Sequence, residues 1–343
     1  MVQNLTVSPS PHINKHHSTQ SIMLNVIIAL MPSLAAAVFF FRMKAVYVTA
    51  TCVITCLISE WLCNWYRKKP NSLGDLSAVI TGLILAFSVP PALPIFAAII
   101  GSAFAIIVGK MVFGGLGANI FNPAMIGRAF LTASFGGLMT MWTVPATIDP
   151  NMPVMTAANT TVMTQATPLA WSKEAIKSKN VKDETKKVNA SVANGMLKNL
   201  LTGSRGGCIG ETCSIALIIG GLYLILTGII TWHIPAAVLI STFVFSSIPY
   251  FINSNYYASP VFHLLSGGLL IGAFFIATDP VTSPLTIKGR WIFGIGVGGL
   301  TILIRTLGAY PEGMMYSILL MNSVTPLIEK FCKIVPAGGI PNA

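Results

Sequence analysis

The run Ile271-Gly272-Ala273-Phe274-Phe275-Ile276-Ala277-Thr278-Asp279-Pro280 is apolar for seven residues and then stops at an acid and a proline. About 190 residues earlier, Thr81-Gly82-Leu83-Ile84-Leu85-Ala86-Phe87-Ser88-Val89-Pro90 has the same length, the same early glycine and the same terminal proline. Both runs are too short to cross a hydrocarbon core of about 30 Å, and proline ends them before they could. Short apolar segments interrupted at matching places in two halves of a chain are the mark of discontinuous half-helices in membrane proteins.

Working outward, apolar stretches of membrane-crossing length surround the two short ones. The chain of 343 residues is 54% apolar and 9% charged, against about a quarter charged in a soluble domain, and its mean hydropathy is +0.74. Apolar segments are expected at 22–41, 45–66, 76–89, 94–113, 123–143, 213–232, 235–252, 261–277, 291–308 and 313–332. Helix is the state expected for all ten, because each must satisfy its own backbone in lipid and none alternates as a barrel strand would. Five spans per half is an odd number, so a tandem copy must be inverted across the membrane. The expected fold class is therefore an all-α polytopic membrane protein of about ten transmembrane helices in two inverted five-helix repeats with half-helices. Its parts are a cytoplasmic segment 1–21, a first repeat 22–143, an extracytoplasmic loop 144–210, a second repeat 211–332 and a cytoplasmic tail 333–343.

The net charge of +11 is scattered between apolar spans rather than striped along a polar face, which excludes nucleic-acid binding. Lys15, Arg67, Lys68, Lys69, Lys110, Arg128, Lys288, Arg290, Lys330 and Lys333 fall at one set of ends, while Arg42, Lys44 and Arg305 fall at the other. That bias puts both termini in the cytoplasm. The six cysteines make no disulfide framework. Walker, zinc-protease and serine-hydrolase motifs are absent, and the soluble catalytic classes go with them.

The candidate residues are few. Thr167 precedes Pro168 and a helix-compatible run to Lys179, so it is an N-cap, or else a hydroxyl that carries a phosphoester favoured by a helix N-terminus. Gly203-Ser204-Arg205-Gly206-Gly207-Cys208-Ile209-Gly210-Glu211-Thr212 combines glycines, a guanidinium and Thr212, and reads as an anion site or as a flexible lead into a membrane helix. Asp279 at a half-helix end is the first candidate for an ion pathway, followed by Glu60 and then Asp75, which also reads as a helix-entry cap. Gly82, Phe87, Gly272 and Phe274 to Asp279 are where such a pathway is expected. Asn122-Pro123-Ala124 reads as a turn first and a ligand contact second.

Taken in order, Ser10-Pro11-His12, Phe113-Gly114-Gly115-Leu116-Gly117, Phe121-Asn122-Pro123-Ala124, Ala166-Thr167-Pro168-Leu169, Gly210-Glu211-Thr212, Ala277-Thr278-Asp279-Pro280-Val281-Thr282-Ser283-Pro284 and Tyr310-Pro311-Glu312-Gly313 resemble the RnfD family. These are membrane subunits of the Rnf electron-transport complex, similar to the B-type membrane subunit of the sodium-pumping NADH:quinone oxidoreductase. The resemblance implies a urea-transporter-like fold in the bacterial inner membrane. It also implies FMN joined through its phosphate to Thr167 on the outer side, with Arg205, Gly206, Gly207, Glu211, Thr212, Asn122 and Arg128 as further cofactor-binding residues. A second, non-covalent flavin such as riboflavin occurs in the related quinone-reducing enzyme's subunit. The implied partners are a second flavoprotein subunit and iron–sulfur subunits, in a complex that moves electrons between ferredoxin and NAD+ and couples them to Na+ or H+. The chain departs from the usual Asp-x-x-Ser/Thr-Gly-Ala-Thr attachment pattern by carrying Thr161 and Gln165 at the Asp and Gly positions. The alternatives are a flavin-free small-solute channel of the same fold, which the half-helices would also suit, and a scaffold that only anchors redox partners.

Overall fold

The computed structural model describes residues 18–142, 167–178, 197, 199–203, 206–211, 213–308 and 310–332. Among them the regular structure is helical, with no strand. Helix α1 (Thr19–Phe41) is capped by Ser18, whose hydroxyl accepts the Ser21 N–H at 3.1 Å, and a single residue, Arg42, with φ of 55°, turns it into α2 (Met43–Tyr66). Then follow α3 (Ser77–Phe87), α4 (Ile95–Ile106) and α5 (Pro123–Ser134). Helix α6 (Pro168–Ser178) lies in the loop between the halves. The second half comprises α7 (Ser214–Leu226), α8 (His233–Ile252), α9 (Pro260–Leu265), α10 (Leu269–Ile271), α11 (Ile287–Leu307) and α12 (Met314–Phe331). Four of these, α1, α2, α8 and α11, are long and apolar enough to cross a membrane, and Ser77–Phe87, Ile95–Met111 and Ser214–Leu226 are shorter apolar helices.

The expected interruption of α3 is present. Its last turn closes on Ser88, which takes the carbonyls of Ile84 and Leu85, and Pro90-Pro91 follow. The segment expected at 261–277 is not one helix. Gly267, with φ of +66°, separates α9 from α10, and α10 continues as a π-turn over Gly272–Ile276. The segment expected at 123–143 likewise ends at Ser134, with only a short helical turn at Gly136–Met139 beyond it. A π-turn also carries Lys110, at Ile107–Met111. Such turns are rare and gather at functional sites.

Neighbour relations recur in the two halves. Helix α2 packs on α3 and α4, and α4 on α5; α8 packs on α9 and α11, and α11 on α12. The halves meet through α1 and α7, where the Tyr223 hydroxyl donates to Asn25 at 2.6 Å and Gly220 abuts Ala29. Rising along one helix descends the other, so the two are antiparallel. Helices α5 and α12 are antiparallel too: Asn322, with its amide turned as its neighbours require, accepts the Asn122 N–H at 3.2 Å, while Arg128 meets Glu312.

Two of the expected pathway residues serve packing instead. A Cβ on Gly82 would lie 2.7 Å from Val53 Cα, so the bare glycine is what lets α3 close on α2, and Gly272 makes the same room for Met314. Phe87 is fully buried and lies where a side chain on Gly210 would sit.

Candidate functional site

Two polar regions lie at opposite ends of the half-helices. The first is a cleft of about 20 Å3 bordered by Trp142, Thr167, Gly206, Glu211, Gly267 and Glu312. Thr167 is 7% exposed. Its hydroxyl accepts the Ala170 N–H at 3.1 Å, as an N-cap does, so the oxygen stands at the positive end of α6. Helix α6 is held from beneath by Leu169, which clusters with Leu200, Ala258 and Phe262. Lys173, one and a half turns on, donates to the Tyr310 carbonyl at 2.6 Å and so fixes the loop that carries Glu312.

Behind the cleft, Arg128 donates to both carboxylate oxygens of Glu312, and Glu312 accepts the Gly268 N–H at 2.9 Å. Burial opposes ionisation of Glu312, but the Arg128 guanidinium outweighs it and holds the carboxyl below the usual range. Burial first, and then the Glu211 carboxylate, push the Cys208 thiol well above its ordinary value. The thiol faces the Ser88 carbonyl at 3.3 Å, and the Ile209 N–H donates to Val89 at 3.1 Å. The cleft wall is thus stitched to the free carboxyl end of α3. Cys208, Glu211 and Glu312 bring ligand-type atoms within 4.8 Å of one another. Arg128 already lies against two of the three, so the positive charge of this cluster is supplied from within the chain.

The sequence grouped Arg205, Gly206, Gly207, Glu211, Thr212, Asn122 and Arg128 with Thr167. Gly206, Glu211 and Arg128 are brought to the cleft, and Gly207 lies against Glu211, where a Cβ would stand 3.1 Å from its carboxylate. Arg205 and Thr212 lie outside the described residues. Asn122 is elsewhere. It caps α5 at the other end, accepting from Ala124 and Met125 at 3.1 and 3.3 Å. Arg128, reckoned among the basic residues of the cytoplasmic ends, instead belongs with Glu312 and the cleft, because α5 carries it two turns away from Asn122.

The second region is a cavity of about 90 Å3 between the halves, with apolar walls from α1, α3, α7 and the α10 π-turn and polar groups from Ser77, Lys110, Asn119, Asn122, Thr278 and Asp279. Asp279 is held by Asn122 at 3.4 Å, by the Thr282 hydroxyl at 3.3 Å and by the Val281 N–H at 3.3 Å. Glu60 does not reach this cavity as an isolated acid. It is fully buried, pairs with Lys110 at 2.7 Å and accepts from Ser72 at 2.5 Å. Lys110 also donates to Ser77 at 2.6 Å, and Ser77 donates from its hydroxyl to Asp75 at 2.5 Å. Asp75 further accepts the Ser77 N–H at 2.8 Å, which is the helix-entry role its spacing allowed. Sequence reasoning missed Lys110, Lys173 and Cys208. Of these only Lys110 left a signal, a lone cation inside an apolar run.

The comparisons agree with one another. The model of the "NQR2, RnfD, RnfE family" matches residues 6–338. The D-type subunit of the Na+-translocating ferredoxin:NAD+ oxidoreductase complex of Acetobacterium woodii is 45% identical over 332 residues, covering 96% of this chain and 94% of that protein. The D-type subunit of the proton-translocating ferredoxin:NAD+ oxidoreductase complex of Clostridium ljungdahlii is 42% identical over 338 residues, covering 97% and 96%. The D-type subunit of the ion-translocating oxidoreductase complex of Cronobacter sakazakii is 36% identical over 349 residues, covering 95% and 97%. With a helical, apolar fold and a family match over nearly its whole length, this chain belongs to the NQR2, RnfD, RnfE family.

Proposed function

We propose that the chain is the D-type membrane subunit of an ion-translocating ferredoxin:NAD+ oxidoreductase, and that Thr167 carries FMN through a phosphoester. Supporting this reading is one observation above the rest: a threonine hydroxyl stands at the N-terminus of an eleven-residue helix and at the lip of a cleft. A helix N-terminus favours a phosphate there. The cleft itself holds about 20 Å3, room for a water and no more. Trp142 and Pro311 border it and are the residues that would hold the ring system. When bound, the flavin supplies a centre that accepts and releases single electrons. The residues do the rest. Helix α6 orients the hydroxyl, Lys173 and the Leu169 cluster hold that helix down, and Arg128 with Glu211 and Glu312 sets the charge at the back of the cleft.

At the other region, Asp279 with Asn122 and Thr282 is the ion-pathway element in this reading. The recurring neighbour relations and the antiparallel α1–α7 and α5–α12 pairs support two inverted five-helix repeats. The basic bias supports an inner-membrane orientation with both termini in the cytoplasm. Ferredoxin and NAD+ would act at partner subunits, a second flavoprotein and iron–sulfur proteins, because the sequence offers no iron–sulfur ligand set of its own.

In-gel flavin fluorescence of the denatured chain, co-expressed with a flavin transferase, tests the attachment. Fluorescence in the wild type that disappears in Thr167→Ala supports it; a dark wild-type band refutes it and brings forward the flavin-free channel.

A further inference from the structure

A third polar cavity, about 80 Å3, lies where α7 hands over to α8 and where α11 begins; it adjoins the second region, with Ile229, Ile230, Thr278 and Pro280 between them, but Thr231, Ser283 and Arg290 line it alone. Thr231, Thr278, Ser283 and Arg290 supply its polar lining. Arg290 is fixed by two bonds, from Nε to the Pro284 carbonyl and from Nη1 to the Thr231 hydroxyl, both at 3.2 Å. Those two bonds immobilise the guanidinium and leave its Nη2 edge without a hydrogen-bond partner among the described residues. Ser283 is 9% exposed and lines the same space, and its hydroxyl makes no hydrogen bond among the described residues. The N-termini of α8 (at His233) and α11 (at Ile287) both open beside the cavity, adding the positive ends of two long helices. The carboxylate nearest in sequence, Asp279, is turned away onto Asn122 and Thr282.

The surroundings are those of a membrane edge. Trp232 stacks on His233 at 4.4 Å, and Trp291 meets both edge-on. Leu285 and Ile287 are exposed, as is Lys288. Tryptophans beside basic residues at the ends of spans mark the headgroup level of a bilayer, and basic pockets between helices at that level take acidic headgroups.

We propose that this cavity binds a phosphate-type anion between Arg290, Ser283 and Thr231, supplied by an acidic phospholipid whose chains lie along Leu285 and Ile287. A fixed guanidinium and two hydroxyls match the oxygens of a phosphodiester, and the cavity is too small for a ring system. The proposal rests on none of the flavin assignments.

The test uses the full chain in nanodiscs of phosphatidylcholine with and without phosphatidylglycerol, with retained lipid read by native mass spectrometry. Wild type should hold phosphatidylglycerol over phosphatidylcholine by on the order of tenfold. Arg290→Gln should lose that preference. Ser283→Asp, which leaves the Arg290 bonds to Pro284 and Thr231 in place and so keeps the local fold, should lose it as well. A thermal shift with inorganic phosphate, run on the same proteins, separates the two sources of the anion. A shift in wild type that is absent in Ser283→Asp would sustain the anion site and assign it to a soluble phosphate. Equal lipid retention by wild type and Ser283→Asp, with no phosphate shift, would overturn the proposal.

Discussion

Arg128 and Glu312, 184 residues apart, meet as a bidentate ion pair between α5 and the loop before α12. With side chains 8% and 16% exposed, the pair closes one half of the molecule onto the other directly behind Thr167. Removing one partner of such a buried pair leaves the other charge unmatched, at a cost of about 3–5 kcal/mol. Arg128→Gln is therefore expected to lower the apparent unfolding temperature in detergent by several degrees, and Glu312→Gln less so, because glutamine can still accept the Gly268 N–H.

The same pair predicts an acid sensitivity. The folded-state pKa of Glu312 lies below its ordinary value, so its contribution is present above the ordinary carboxylate range and is lost as pH falls through the folded-state value. Thermal scans should show wild type losing stability on acidification more steeply than Glu312→Gln; parallel pH profiles for the two would contradict this.

Glu60 and Lys110 make a second buried pair, 0% and 2% exposed at their side chains. Either single change, Glu60→Gln or Lys110→Met, should destabilise strongly, whereas the double variant should recover part of the loss, because no uncompensated charge remains. A double-mutant cycle on thermal midpoints reads this directly, and additive losses would mean that the two charges do not see each other.

Gly82 carries a packing prediction. Alanine there meets Val53 Cα at 2.7 Å and should cost about 1–3 kcal/mol, while Gly74→Ala, with nothing within 4 Å, should be close to neutral. Comparable effects at the two positions would argue against the close α2–α3 contact.

Asp279→Asn keeps the hydrogen-bonding shape around Asn122 and Thr282 but removes the charge. Reconstituted with its partner subunits, this variant is expected to pass electrons with ion transport much reduced. Unchanged ion transport would remove Asp279 from the pathway.

How far the sequence leads can be judged from particular residues. Pro90-Pro91 announces the end of α3 because proline cannot continue a helix, and that is a local rule. The break at Gly267 is harder to foresee: one glycine in an apolar run is compatible with an unbroken helix, and it is other elements that satisfy the interrupted backbone, Glu312 accepting the Gly268 N–H and Arg305 donating to the His263 and Ser266 carbonyls. Asn122 shows the same limit. The Asn-Pro pair reads as a turn, where the structure has a helix cap, and the pairing of Asn122 with Asp279, 157 residues away, is a product of how the halves dock. By composition Lys110 and Arg128 read as ends of spans, and both turn out to be buried partners of acids that no local pattern could select.

The central claim is that Thr167 bears a flavin phosphoester, and peptide mass mapping of the purified, transferase-exposed chain tests it most directly. The peptide containing Thr167-Pro168-Leu169 is expected to gain the mass of one FMN less one water. Thr167→Ser should retain the adduct because serine keeps both cap and hydroxyl, and Thr167→Ala should not. An unmodified Thr167 peptide in the wild type, or an adduct on another residue, would contradict it.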